Sequence, residues 1–195
     1  MNLDARARDV LDFWFGAPGS EEFGSERKMW FRKNAAFDAT LRERFGALLD
    51  AACAGELDAW CETPEGALAL VIVLDQFSRN CHRGTPRAFC ADDKALRIAR
   101  AMVASGADRR LPTLQHRSFA YLPFEHAEDA EAQRESLRLF GELAQDPEAK
   151  DYYDYAVRHA NIIERFGRFP HRNGQLGRVS TDEETAFLRE RGSSF

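Results

Sequence analysis

No apolar stretch in the sequence outlasts the eight residues Ala67–Leu74, whereas a helix that crosses a bilayer needs about 20. The opening residues, MNLDARARDVLDFWFG, have no basic stretch followed by an apolar run and a small-residue cleavage site, so no signal peptide is expected. Cysteine is sparse: Cys53, Cys61, Cys81 and Cys90 are the four, none in C-x-x-C spacing, and they are expected to be free thiols in a reducing compartment. A cytoplasmic protein with no membrane partner is the expectation. Basic excess is missing as well. A net charge of −5 argues against a general nucleic-acid binder, which would carry positive charge over much of its surface. No segment sustains a period-2 pattern of β-branched residues, so no sheet is expected. Gly-rich phosphate loops, G-x-S-x-G, H-E-x-x-H and the paired E-x-x-H of di-iron bundles are all absent, and no cofactor is expected.

What is present is material for one helical core. A chain of 195 residues, 44% hydrophobic, 30% charged and with 15 Phe, suits a single domain over 1–195. Val10, Leu11 and Trp14 share a helical face that Gly16 and Pro18 close. Asn34 is placed to cap a helix carrying Phe37, Leu41, Phe45, Leu48 and Ala52 on one stripe, with Gly55 as its stop. Thr63-Pro64 starts a helix to Phe77, Thr85-Pro86 repeats the start signal, and Asp92 opens a helix to Gly106. A helix from about Thr113 is expected to break or kink at Pro123. The acidic turn Glu125–Glu131 is expected to begin the next helix, Pro147 another that ends at Gly167, and overlapping capping boxes at Ser180 and Thr181 a last short one. The fold class expected is all-α, an irregular bundle or a short stack of antiparallel helical hairpins.

Some polar residues fall where apolar ones belong. Asp75 lies on the face of Leu68, Val71 and Ile72, and a carboxylate there is costly unless cations meet it. Arg79 and Arg83 follow in the segment Ser78-Arg79-Asn80-Cys81-His82-Arg83-Gly84, read as a loop, so a structural ion pair and a ligand role are both open. His159 shares a stripe with Tyr152, Tyr155, Ala156, Ile162, Ile163 and Phe166. Its helix runs into Glu164–Arg178, which holds four arginines against one glutamate. Convergent guanidinium groups in a turn-rich loop suit a carboxylate or phosphate. Glu125–Glu135 holds five acids against Arg134. Those acids suit a helix N-terminus on dipole grounds alone, or staple helices by pairing with the basic segment. His126 and Asp129, with Glu125, His159 or His171, are a conceivable divalent-ion set, but no metal motif supports it and no metal is assigned.

Several strings together resemble one family: Leu11-Asp-Phe-Trp-Phe-Gly, Trp30-Phe31, Leu74-Asp-Gln-Phe-Ser-Arg-Asn, Arg83-Gly-Thr-Pro-Arg-Ala-Phe, Leu122-Pro-Phe-Glu-His-Ala-Glu-Asp with Gln133, and His159 through Arg165-Phe-Gly-Arg-Phe-Pro-His-Arg-Asn with Leu176-Gly-Arg-Val-Ser-Thr. On these the chain is identified as a member of the bacterial domain-of-unknown-function family 924 (DUF924). Ser78 departs from the proline usual there. The resemblance implies an all-helical fold similar to tetratricopeptide-repeat domains, and it implies no activity.

The function expected from the residues is binding of a small anionic ligand. Arg79, Asn80, Arg83, Arg165, Arg168, Arg172, Asn173 and Arg178 would bind charge. His126, His159 or His171 would carry a proton, and Asp75 or Glu128 would orient the imidazole. Two other readings stand beside it: a scaffold for a protein or peptide partner in which the cluster is purely structural, and a hydrolase acting on a phosphorylated or carboxylated metabolite.

Overall fold

The computed structural model describes residues 2–194. Among these the secondary structure is all-α, with no strand. The helices are α1 (Ala5–Phe15), α2 (Ala35–Ala54), α3 (Pro64–Val71), α4 (Ser78–Cys81), α5 (Asp92–Ser105), α6 (Leu114–His126), α7 (Ala130–Leu143), α8 (Lys150–Phe166) and α9 (Asp182–Phe187), with short 3-10 turns between them. The local signals act as their chemistry requires. The Asn34 carboxamide oxygen accepts from the N–H groups of Ala36 and Phe37, and Gly55 ends α2 at φ +89°, a conformation only glycine takes readily. Thr63 caps α3 with Pro64 at its first position. Of the two overlapping capping boxes, the one that forms is Thr181 with Glu184.

Two segments depart from the expected boundaries. The helix from Pro64 does not stop at Phe77: Ile72–Phe77 winds as a π-helical turn and Ser78–Cys81 continues as α4. Ser78 is therefore helical, and its hydroxyl reaches the carbonyls of Leu74 at 2.6 Å, Asp75 at 3.2 Å and Ala88 at 3.2 Å. Pro123 does not end α6, which runs through it to His126. Glu125 and His126 are thus the C-terminal end of one helix, and α7 starts only after Asp129, whose carboxylate accepts from Ala132 N–H at 2.8 Å.

The described contacts group into two compact units, Met1–Arg83 with Arg87–Pro123 and Gly84–Pro86 with Phe124–Phe195. The first is organised around Trp14, which is fully buried. Its ring lies 5.5 Å from Phe77, 5.7 Å from Phe119 and 6.4 Å from Trp30, and Phe45 meets Phe77 at 4.9 Å. The last carbonyls of α1 are taken by side chains, Arg27 Nη1 donating to Phe13 O at 2.6 Å and Trp30 Nε1 to Trp14 O at 2.9 Å. In the second unit, α7 packs along α8, to which a short connection joins it. Ile162, Ile163 and Phe169 form a small core there, flanked by Phe166 and Phe187.

Gly66 allows a close approach within the first unit. A Cβ at this position would lie 2.2 Å from Trp60 O. Gly66→Ala is therefore expected to cost about 2 kcal/mol or more despite alanine's better helix propensity, because backbone must move. Urea unfolding checks this; a neutral or stabilised variant contradicts it.

Candidate functional site

The site is built from the ends of α6 and α8 in the second unit. A C-terminal helix end leaves carbonyls without partners, and at α6 one side chain serves them. Gln133 Nε2, on α7, donates to the carbonyls of Phe124 at 3.3 Å, Glu125 at 2.7 Å and Ala127 at 2.8 Å. This clamp fixes the backbone from which Glu125 and His126 project. From α8 comes His159, whose Nδ1 lies 2.9 Å from Tyr155 O and 3.0 Å from Glu125 Oε1. Two oxygens facing Nδ1 place a proton on that nitrogen. Glu125 and His159 are each 4% exposed. The ring of His126 lies 6.0 Å from that of His159. Donor atoms of Glu125, His126 and His159 all fall within 4.8 Å of one another.

Gly167 ends α8 in the left-handed conformation, and the chain then delivers Phe169, fully buried, into the same cluster. Its backbone is held at both polar atoms: the N–H donates to Glu128 Oε1 at 2.8 Å, and the carbonyl accepts from Arg178 Nη2 at 3.1 Å. Arg178 closes the ring by donating to both oxygens of Glu128, at 2.5 and 2.9 Å, and from Nε to Asn173 Oδ1 at 2.9 Å. Burial alone would raise the Glu128 pKa, but the Arg178 and Phe169 hydrogen bonds outweigh it and hold the carboxyl below its usual range. Around the Phe169 ring stand His159 at 5.5 Å, His171 at 5.7 Å and the guanidinium of Arg172 at 4.4 Å over the face.

The remaining basic residues of this segment are engaged by acids. Arg168 grips both oxygens of Glu184, at 2.7 and 2.8 Å, and holds that carboxyl down to about 2. Arg165 donates to Glu183 at 2.9 Å and lies over Phe166 and Phe187. Asn173, buried, donates to Ser180 Oγ at 3.0 Å. The pairing of acidic with basic segments is therefore real at Glu128 and Arg178, whereas Glu125 faces an imidazole.

Asp75, Arg79, Asn80 and Arg83 belong to the first unit and have their partners within it. Asp75 accepts from Gln76 Nε2 at 2.7 Å and meets Arg79 at 3.2 Å. Arg79 also forks onto Asp92 at 2.9 and 3.0 Å. Arg83 does not reach Asp75 for an ion pair. It grips both oxygens of Asp38, at 2.7 and 2.9 Å, where Asn80 donates at 2.8 Å. Asp38 and Asp92 were invisible as partners in the sequence, since each stands in the first turn of its helix and needs no further explanation there.

Two histidines are held neutral. Burial pushes His116, stacked on Phe15 at 3.9 Å, down to about 4. Burial pushes His171 down to about 3, with the charge of Arg172 adding to it. Each binds a proton in the unfolded chain below its ordinary pKa of 6.5 and resists binding it in the fold. Their contribution to stability is thus complete above that pH and is lost as the pH falls toward 4. Glu184, depressed by Arg168, adds a loss only below its ordinary value of 4.5. Unfolding free energy is expected to drop by about 2 to 4 kcal/mol between about pH 7 and pH 5. Urea melts at the two pH values test this, and His171→Asn should flatten the slope. A pH-independent stability contradicts it.

Gln133, the Tyr155 carbonyl and the Phe169 ring were not assigned to the site by sequence reasoning, and Glu125 entered only as one member of a divalent-ion set. Glu125 was hidden by its expected place at a helix start, and Gln133 by being one amide on a helix face.

A family model described as a bacterial protein of unknown function (DUF924) matches residues 10–192. Among solved structures, the chain is similar to a protein of unknown function from Agrobacterium tumefaciens, with 41% sequence identity, a TM-score of 0.82, and 96% of this chain and 99% of that one covered. No curated protein matches.

Proposed function

The chain belongs to the DUF924 family, bacterial proteins of unknown function, which fixes no activity, and we propose that it binds a small anionic ligand at the histidine cluster of its second unit. The observation that supports this reading is the convergence on Phe169 of His159, His171 and the Arg172 guanidinium, from chain positions that fold together around one fully buried ring. Arg172 is 6% exposed. A guanidinium laid on an aromatic face aims its five donors outward in one plane, which suits carboxylate or phosphate oxygens beside any protein partner.

In this reading the Glu128–Arg178 pair is a brace that sets Phe169 and its neighbours. Arg165 and Arg168, forked onto Glu183 and Glu184, tie α9 to the segment after α8. The side chains that meet the ligand are His126, His171 and Arg172. Hydrolysis of a phosphorylated or carboxylated metabolite is the enzyme reading, with His126 as the proton carrier, since burial keeps His171 neutral down to about 3.

A thermal-shift screen of phosphorylated and carboxylated metabolites tests it. Ligand at about 100 times its Kd should stabilise by about 2.7 kcal/mol and raise Tm by about 5 °C or more. The shift should vanish in Arg172→Gln and in the more accessible His126→Gln. No shift with any anion, or one that both variants keep, leaves the scaffold reading, in which a tetratricopeptide-like surface takes a protein or peptide and the cluster only holds helices together.

A further inference from the structure

Glu125 is a buried carboxylate of the second unit that meets an imidazole. Glu128 and Glu184 each face a guanidinium, whereas the ion-pair partner of Glu125 is His159. At 4% exposure water does little to offset a carboxylate there. Its position makes matters worse. Glu125 lies in the last turn of α6, at the negative end of the helix dipole, where a cation is favoured and an anion is not.

We propose that Glu125, His126 and His159 bind one divalent transition-metal ion. Their donor atoms lie within 4.8 Å of one another. Ligands about 2.1 Å from a shared ion sit roughly 3 to 3.5 Å apart, so modest side-chain rotation closes the set. The neighbours supply what metal-binding side chains usually have. The Tyr155 carbonyl, 2.9 Å from His159 Nδ1, orients the ring and would keep that nitrogen partnered when the Glu125 carboxylate turns from its 3.0 Å contact there to the ion on Nε2. Gln133 Nε2 pins the backbone of Glu125 by donating to its carbonyl at 2.7 Å.

Two imidazoles and one carboxylate, with no thiolate, favour zinc, iron(II), manganese or cobalt over calcium or magnesium. Three protein ligands leave positions open for water or for an anionic oxygen. The ion would thus strengthen an anion site, yet its binding does not depend on that reading, because the metal can be titrated with no anion present.

The experiment is titration of the chelator-stripped full chain with zinc by calorimetry and with cobalt(II) by absorption. One equivalent should bind with Kd in the micromolar range or tighter, and the cobalt spectrum should lack a thiolate charge-transfer band. Glu125→Gln, His159→Gln and the more accessible His126→Gln should each weaken binding by about 100-fold, with circular dichroism confirming that His126→Gln folds. No binding up to about 1 mM overturns the proposal. So does binding that His126→Gln leaves intact, or a thiolate band, which would place the ion on the cysteines of the first unit. Metal binding without any anion-induced shift would retire the anion reading alone; an anion shift in the chelator-stripped chain that takes no metal would retire this one alone.

Discussion

Phe169→Ala is expected to lose about 3 to 5 kcal/mol of unfolding free energy, the cost of emptying a fully buried aromatic site. Two effects add here. The ring is part of the small core with Ile162 and Ile163, and it is also the surface on which His159, His171 and Arg172 are arranged. Without it, the Arg172 guanidinium loses its aromatic support, and the imidazoles lose the wall that orients them. The backbone hydrogen bonds to Glu128 and Arg178 do not depend on the side chain, so the loop should stay in place while the cluster loosens. Phe169→Leu, which keeps apolar volume but not the flat face, should recover much of the stability and little of any ligand affinity. Urea unfolding of the two variants separates packing from the site; a cost below about 1 kcal/mol for the alanine variant contradicts the role given to this ring.

Asp75→Ala should cost about 3 kcal/mol or more. The side chain is 1% exposed, within a π-helical turn whose every residue is buried. Its removal takes one of the two carboxylates from Arg79, leaving Asp92, and takes the acceptor from Gln76 Nε2. Breaking one side of a buried ion pair is costly because the remaining charge stays out of water. Asp75→Asn keeps the shape and one acceptor oxygen, so it should cost less than the alanine. Equal stability of wild type and Asp75→Ala in urea would show that Asp92 and water suffice for Arg79.

Much of the architecture was legible because it is local chemistry. Asn34, Gly55, Thr63-Pro64 and Thr181 with Glu184 mark helix ends by hydrogen bonds made within four residues. The site was legible only in part. His126, His159, His171 and Arg172 stood out as polar groups on apolar or turn-rich stretches, but their grouping depends on a ring from the loop after α8. Pro123 misled most. A helix through proline is unfavourable locally, yet α6 continues through Pro123, and Gln133 collects the carbonyls at its end. That shift of one boundary turns Glu125 from an acid at a helix start, needing no explanation, into a buried acid at a helix end. Arg83 pairing with Asp38, 45 residues away, is a long-range choice among several acids that spacing alone cannot rank.

In both proposals His126, His159 and His171 behave as one site. Long-range proton–nitrogen correlation spectra of the five imidazoles, recorded while zinc and then inorganic phosphate are added, test this most directly. The predicted result is that signals of His126, His159 and His171 move together while those of His82 and His116 stay fixed. Movement confined to His82 or His116, or none at any imidazole, would contradict it.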